Sequence, residues 1–215
     1  LHQSQSKYQK IDIIKTKYYG NAMYLDGCFM LSEKNQDYYH EECIKLIPKN
    51  VKKILIIGGG DCAIAKLISK SFSVELIDIV EIDKKVVDIS KRYFPKNFNF
   101  KNKENMKVNI IIEDGYAYLK ASHKKYNCII IDSTDPINQA EILVSKNFLK
   151  ECYKSLTKMG VIIQQSGSPL KDIETIIEPL REKYKDLGFI NESVISFSMP
   201  LYPTGTWSFI SAKRA

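Results

Sequence analysis

Four apolar residues running into three glycines constrain this chain more than any other feature: "ILIIGGGD", Ile54 to Asp61. A run such as Ile54 to Ile57 offers no polar face to water, so it reads as a strand buried on both faces, as in a parallel sheet covered by helices. Gly58, Gly59 and Gly60 let the backbone turn tightly, and Ala63 to Lys70 reads as the helix that follows. Strand, glycine turn and helix N-terminus form a nucleotide-binding unit whose usual guest is an anion such as pyrophosphate. Asp61 argues against an anion.

The rhythm continues downstream. Strands are expected at Leu76 to Glu81, Val108 to Ile112, Cys128 to Asp132 and Val161 to Gln165, separated by helix-length segments, which predicts a doubly wound parallel sheet. Only "PLYPTG" divides "ESVISFSM" from "TWSFISAK", too little for a helical crossover, so these two should pair antiparallel at the sheet edge. Upstream, "YQKIDIIKT" and "NAMYLDGCFMLS" alternate like strands around an Asp26-Gly27 hairpin signal. Tyr39, Cys43 and Ile47 then fall at helical spacing before Pro48. The expected architecture is α/β: a class I S-adenosylmethionine-transferase (Rossmann-like) doubly wound sheet with antiparallel C-terminal strands over residues 36–215, preceded by a small N-terminal antiparallel β-domain over residues 1–35.

Composition narrows the function. A chain of 215 residues with 44% hydrophobic content supports one sizeable core with an appendage. No apolar run reaches membrane-spanning length. "LHQSQSKYQK" has neither the apolar middle of a signal peptide nor an initiator Met, so the start reads as trimmed and the setting as cytoplasmic. Cys28, Cys43, Cys62, Cys128 and Cys152 are scattered without a C-x-x-C pair or a His cluster, which favours reduced thiols and no metal site. The net charge of +7 comes from Lys spread along the whole chain, without the basic stripe or interleaved aromatics of a nucleic-acid binder.

Ligands of open α/β sheets bind at the carboxyl ends of the strands. Here those ends are acidic throughout: Asp61, Glu81, Asp114, and Asp132 with Asp135. Glu81 is placed to accept hydrogen bonds from a ribose diol, and Asp114-Gly115 suits the amino group of adenine. Each also has an ordinary reading. Asp114 suits an N-cap for "YAYLKAS", Asp83 is assigned to such a cap, and Asp135-Pro136 is a common turn signal. Coincidence across four consecutive strand ends is harder to ascribe to local structure.

The stretches "YQKIDI", "YLDG", "YYHEE", "ILIIGGGD", "VEID", "EDGYAYL", "IIIDSTDP" and "MPLYPTGTW" together resemble the polyamine aminopropyltransferases, in order and spacing over nearly all the chain. The resemblance implies transfer of the aminopropyl group of decarboxylated S-adenosylmethionine to putrescine, releasing methylthioadenosine. That donor is a co-substrate, and no metal or further cofactor is implied. A homodimer or higher homo-oligomer is expected by the same analogy. Gln9 and Glu81 would hold the nucleoside and its ribose, Asp114 and Gly115 the adenine, and Asp61 the aminopropyl ammonium, with Gly58 and Gly59 beside the donor. Asp132 would be the base, assisted by Tyr39, and Asp135 would anchor putrescine's far ammonium. Tyr202 and Trp207 would line the channel between, with Gln165 and His40 at the acceptor end. Tyr39 also suits a core-facing aromatic, Trp207 plain sheet packing, and His40 a structural role.

The chain departs from the family pattern in places. Cys62 and Ala63 follow "GGGD" where another Gly is usual, and a Cys62→Gly change is expected to cost some helix stability. "INQAE" puts Asn138 and Gln139 in place of Gly and Pro in the loop after "DP". An acidic position of the "QxES"-like segment reads as Gly167, removing one possible acceptor contact. Asp61 nevertheless suggests a donor selection: it would repel the carboxylate of ordinary S-adenosylmethionine and pair the bare ammonium left by decarboxylation. Alternatives are a relative using cadaverine or spermidine, a small-amine methyltransferase, and a non-catalytic nucleoside-binding relative.

Overall fold

The computed structural model describes residues 1–101, 106–134 and 138–215. Seven strands form the main sheet: β5 (Lys53–Gly58), β6 (Leu76–Glu81), β7 (Lys107–Ile112), β8 (Tyr126–Asp132), β9 (Leu156–Gln165), β10 (Phe189–Ser198) and β11 (Thr206–Arg214), in the order β10-β11-β9-β8-β5-β6-β7. The five from β9 to β7 run parallel, while β11 pairs antiparallel with β9 and with β10 at the edge. The doubly wound sheet with an antiparallel finish is therefore present as expected.

The apolar run of β5 splits by the period-2 rule. Ile54 and Ile56 enter one core with Ile77, Ile79, Ile130 and Ile163, whereas Leu55 and Ile57 enter the opposite one with Ile129, Ile131 and Ile162. Each such side chain contributes about 1.5–3 kcal/mol when fully buried. The helices α1 (Asp37–Lys45), α2 (Ala63–Ser71), α3 (Lys84–Tyr93), α4 (Gly115–Ala121), α5 (Lys146–Ser155) and α6 (Glu178–Asp186) close both faces, with short turns at Pro95–Phe98, Asn138–Val144 and Ile173–Ile177. No helix among the described residues is long and apolar enough to cross a membrane.

A second sheet of four antiparallel strands holds β1 (His2–Gln5), β2 (Lys10–Thr16), β3 (Gly20–Leu25) and β4 (Cys28–Ser32) in chain order. Asp26 and Gly27 both adopt positive φ, so the predicted hairpin turn is present. Ile11, Ile13, Met23, Leu25 and Leu31 pack this sheet onto Val86, Ile89 and Phe94 at α3. The Asn21 side chain donates to the Tyr93 carbonyl at 3.2 Å, and Lys85 Nζ to the Gln5 carbonyl at 2.7 Å. The two sheets thereby face each other across the carboxyl ends of the parallel strands.

Candidate active site

A cleft of about 780 Å³ opens there, walled by both sheets. Gln9, Tyr39, His40, Gly58, Gly59, Asp61, Glu81, Asp114, Gly115, Asp132, Gln165, Tyr202 and Trp207 all line it. Asp135 lies outside the described residues, as do Pro136 and Ile137; of Asn138 and Gln139 only the backbone is described.

The glycine turn is shaped first by its own neighbours. Gly58 sits opposite Asp132 in the β5–β8 register, and Gly59 N–H donates to the Asp132 carbonyl at 3.0 Å. A Cβ on Gly58, whose φ is +83°, would collide with that carbonyl oxygen. A Cβ on Gly60 would lie 2.7 Å from Cγ of Glu81. The glycines thus let two carboxylates reach the cleft before they admit any ligand, a tighter constraint than the nucleoside approach suggested by the sequence.

Glu81 is only 8% exposed and accepts from Gly60 N–H at 3.2 Å and Asp83 N–H at 2.9 Å. Burial outweighs these donors and pushes its carboxyl up to about 7. Gln9 Nε2 donates to Asp83 Oδ2 at 3.2 Å, and Asp83 caps α3 through Lys85 N–H at 3.0 Å, as predicted. Asp114 takes the N-cap role, Oδ1 accepting from Ala117 N–H at 2.8 Å to cap α4, and the residue also lines the cleft. Asp61 Oδ1 accepts from Ala63 N–H at 2.7 Å, and Asp61 forms no ion pair among the described residues.

Tyr39 belongs to both the core and the cleft. Its ring lies 5.0 Å from that of Phe209 and 6.2 Å from that of Tyr202, while its hydroxyl donates to Asp132 Oδ1 at 2.9 Å. Asp132 is pushed up to about 7, chiefly by withdrawal from solvent and then by the nearby charge of Asp61, against the opposing hydrogen bond from Tyr39. Burial, reinforced by Asp132, keeps Tyr39 a neutral phenol. His40 is held neutral by burial, and among the described residues its Nδ1 has no hydrogen-bond partner.

The far wall is aromatic and amide-lined. Tyr202 and Trp207 meet edge to face at 4.7 Å; Trp207 Nε1 donates to Gln165 Oε1 at 3.1 Å, and Gln165 Nε2 donates to the Thr134 carbonyl at 3.2 Å. Two participants escaped the sequence reading. Phe29, from the N-terminal hairpin, reaches Tyr202 at 6.2 Å, and Asp172 lies against Gly167. The hairpin was visible in "YLDG", but its partner is remote in sequence, and the anomaly at Gly167 gave no pointer to a residue five places on. Among the described residues no three His, Cys, Asp or Glu side chains converge on a metal-sized site.

Cys62 corrects an expectation. The side chain is buried in the core and points away from the cleft, but its φ of +63° is left-handed, which changes the expected cost to the helix. Glycine adopts that conformation freely, whereas a side chain there costs about 1 kcal/mol. Cys62→Gly should therefore be near-neutral, the relieved backbone offsetting the lost packing, instead of weakening the helix. Thermal unfolding should move by no more than a few degrees, about 1 kcal/mol either way, and methylthioadenosine affinity should not change.

A family model described as "Spermine/spermidine synthase domain" matches residues 26–215. The chain belongs to that family. A second model, "Spermidine synthase tetramerisation domain", matches residues 1–33. Among relatives of this spermine/spermidine synthase family member, the polyamine aminopropyltransferase of Methanocaldococcus jannaschii is 39% identical, over 100% of this chain and 73% of its own length. That of Alkaliphilus metalliredigens is 38% identical, over 100% and 76%. A spermidine synthase solved in complex with the transition state analogue AdoDATO superposes with TM-score 0.90 at 30% identity, over 100% of this chain and 73% of that one. The spermidine synthase of Thermotoga maritima gives 0.87 at 30%, over 100% and 72%. The family member is accordingly a transferase of the polyamine aminopropyltransferase class.

Proposed function

We propose that the chain is a spermidine synthase, moving the aminopropyl group of decarboxylated S-adenosylmethionine onto putrescine. The observation that carries this reading is the pair formed by Asp132 and Tyr39 in a cleft that also holds Asp61, a carboxylate without an ion pair among the described residues. Asp61 takes the aminopropyl ammonium, Glu81 the ribose hydroxyls, and Asp114 and Gly115 the adenine; Gln9 supports the donor end. The amine nitrogen attacks the carbon bound to the sulfonium, the carbon–sulfur bond breaks with its electrons going to sulfur, and the proton lost from nitrogen passes to Asp132. Methylthioadenosine leaves neutral at sulfur. Asp135 is assigned to the distal ammonium, with Tyr202, Trp207, Gln165 and His40 around the acceptor chain.

The donor is consumed, so no resident cofactor or metal is part of this reading. The tetramerisation-model match supports self-association through the N-terminal sheet, and the free cysteines fit a reducing cytoplasm. The test is incubation with decarboxylated S-adenosylmethionine and a panel of diamines, with products identified by mass spectrometry. Spermidine and methylthioadenosine are expected. A methylated amine formed from S-adenosylmethionine would overturn the assignment. Calorimetry should also show decarboxylated S-adenosylmethionine binding at least ~10-fold more tightly than S-adenosylmethionine, because the latter sets a carboxylate against Asp61.

A further inference from the structure

The sheet order divides the cleft. Glu81, Asp61 and Asp114 arise at β6, β5 and after β7, on one side of β8, whereas Gln165 ends β9 on the other. Beyond Gln165 the chain turns through Gly167, whose φ is +77°. A Cβ there would lie 2.6 Å from Asp172 Oδ2, so the bare Cα is what lets the Asp172 carboxylate fold back over the strand end.

Asp172 lines the cleft, is 7% exposed, and is fixed by the Ser168 N–H, which donates to Oδ2 at 2.9 Å. Ser168 is itself held by the Thr204 hydroxyl at 2.7 Å, and Gln165 by Gly167 N–H and Trp207. The carboxylate is thus anchored in the wall that carries Gln165 and Trp207. Its charge is poorly matched: among the described residues the ion partner is Lys171, 3.8 Å from Oδ1, with a side chain 72% exposed. A solvated lysine at that distance compensates little, and a nearly buried carboxylate gains from a closer cation.

We propose that Asp172 is a specificity-determining residue that receives the ammonium at the far end of the acceptor amine, so that the cleft selects a diamine over a monoamine. The proposal rests on the aminopropyl-transfer reading above and deepens it. It is compatible with a role for Asp135, because an ammonium carries three N–H donors. Lys171 opposes the same cation.

Steady-state kinetics with two acceptors tests it: putrescine, and butylamine, which has the same chain without the second ammonium. Asp172→Asn keeps an acceptor oxygen for Ser168 N–H, so the loop is retained and only the charge is lost. The KM for putrescine should rise roughly 10- to 100-fold, while butylamine kinetics and methylthioadenosine affinity stay put. Lys171→Met, which leaves the carboxylate in place, should lower the KM for putrescine a few-fold. An equal effect of Asp172→Asn on both amines, or no effect on putrescine, overturns the proposal; so does a Lys171→Met KM that stays level or rises. Absence of aminopropyl transfer to any amine by the unaltered protein would instead overturn the reading beneath it.

Discussion

Asp132→Asn should lower turnover roughly 10²- to 10⁴-fold at neutral pH while methylthioadenosine binding survives. An alkyl amine resembling Lys, with a pKa near ~10.4, costs about 4.6 kcal/mol to neutralise at pH 7, and surrounding carboxylates add to that by favouring its charged form. On the proposed reading Asp132 accepts that proton locally. Its position suits a base, since the Tyr39 hydroxyl fixes Oδ1 at 2.9 Å and withdrawal from solvent has raised the carboxyl to about 7. The asparagine keeps an oxygen for Tyr39 and loses only the proton acceptor. The pH profile separates the contributions. A raised carboxyl is protonated below about 7, so for the unaltered protein log(kcat/KM) should climb with slope near ~1 below that value and level off above it, because ionised Asp132 takes the proton of an amine that arrives as its ammonium. The variant should show the single slope of the amine throughout. Near-normal turnover, or an unchanged break in the profile, would remove Asp132 from the role of base.

Gly58→Ala should be almost as damaging although it adds a single methyl group to a residue that transfers no proton. The new carbon would occupy the space of the Asp132 carbonyl oxygen, on a backbone with φ of +83°. The left-handed conformation alone costs about 1–2 kcal/mol, and moving a paired strand end raises the total to about 3–5 kcal/mol. A fall in Tm of roughly 10 °C follows for a chain of this size. Since Asp132 must move to make room, turnover should drop roughly 10²-fold even at temperatures where the variant is folded. Differential scanning fluorimetry and single-turnover rates decide it. A variant with unchanged Tm would mean that the turn relaxes without disturbing β8.

Much of this was legible in the sequence because the physics was local. Ile54 to Ile57 could only be a strand covered on both faces, and Asp61, Glu81, Asp114 and Asp132 fall at strand ends because the elements between them have helix length. β1 was missed: "HQSQ" buries little and is held by its backbone ladder to β2, which leaves no hydrophobic signature. β9 starts at Leu156, earlier than the expected Val161, because "TKMG" resembles a turn; Met159 does take a positive φ, yet the strand continues through it. Asp78 interrupts an apolar strand and is completely buried, accepting from Asn109 at 2.7 Å, the Tyr126 hydroxyl at 2.7 Å and Lys124 at 2.8 Å. Those partners lie at least 31 residues away, so no local pattern announces them. Asp172 was hidden for a related reason, since its place depends on the vacancy at Gly167 and the path of the turn.

The cleft's floor and one of its walls come from different sheets. Phe29 and Tyr24, 5.7 Å apart, belong to a hairpin whose sheet rests on α3, while Glu81 and Asp132 belong to strands of the other sheet. Substitutions in that hairpin can change the bulk pressed against Tyr202 without moving a strand end. On the proposed reading, the choice of amine can be altered through residues 24 to 29, which line the cleft, while Asp132 stays in place, and a library of altered hairpins on an otherwise constant chain is the natural starting stock for directed evolution toward longer or bulkier amines.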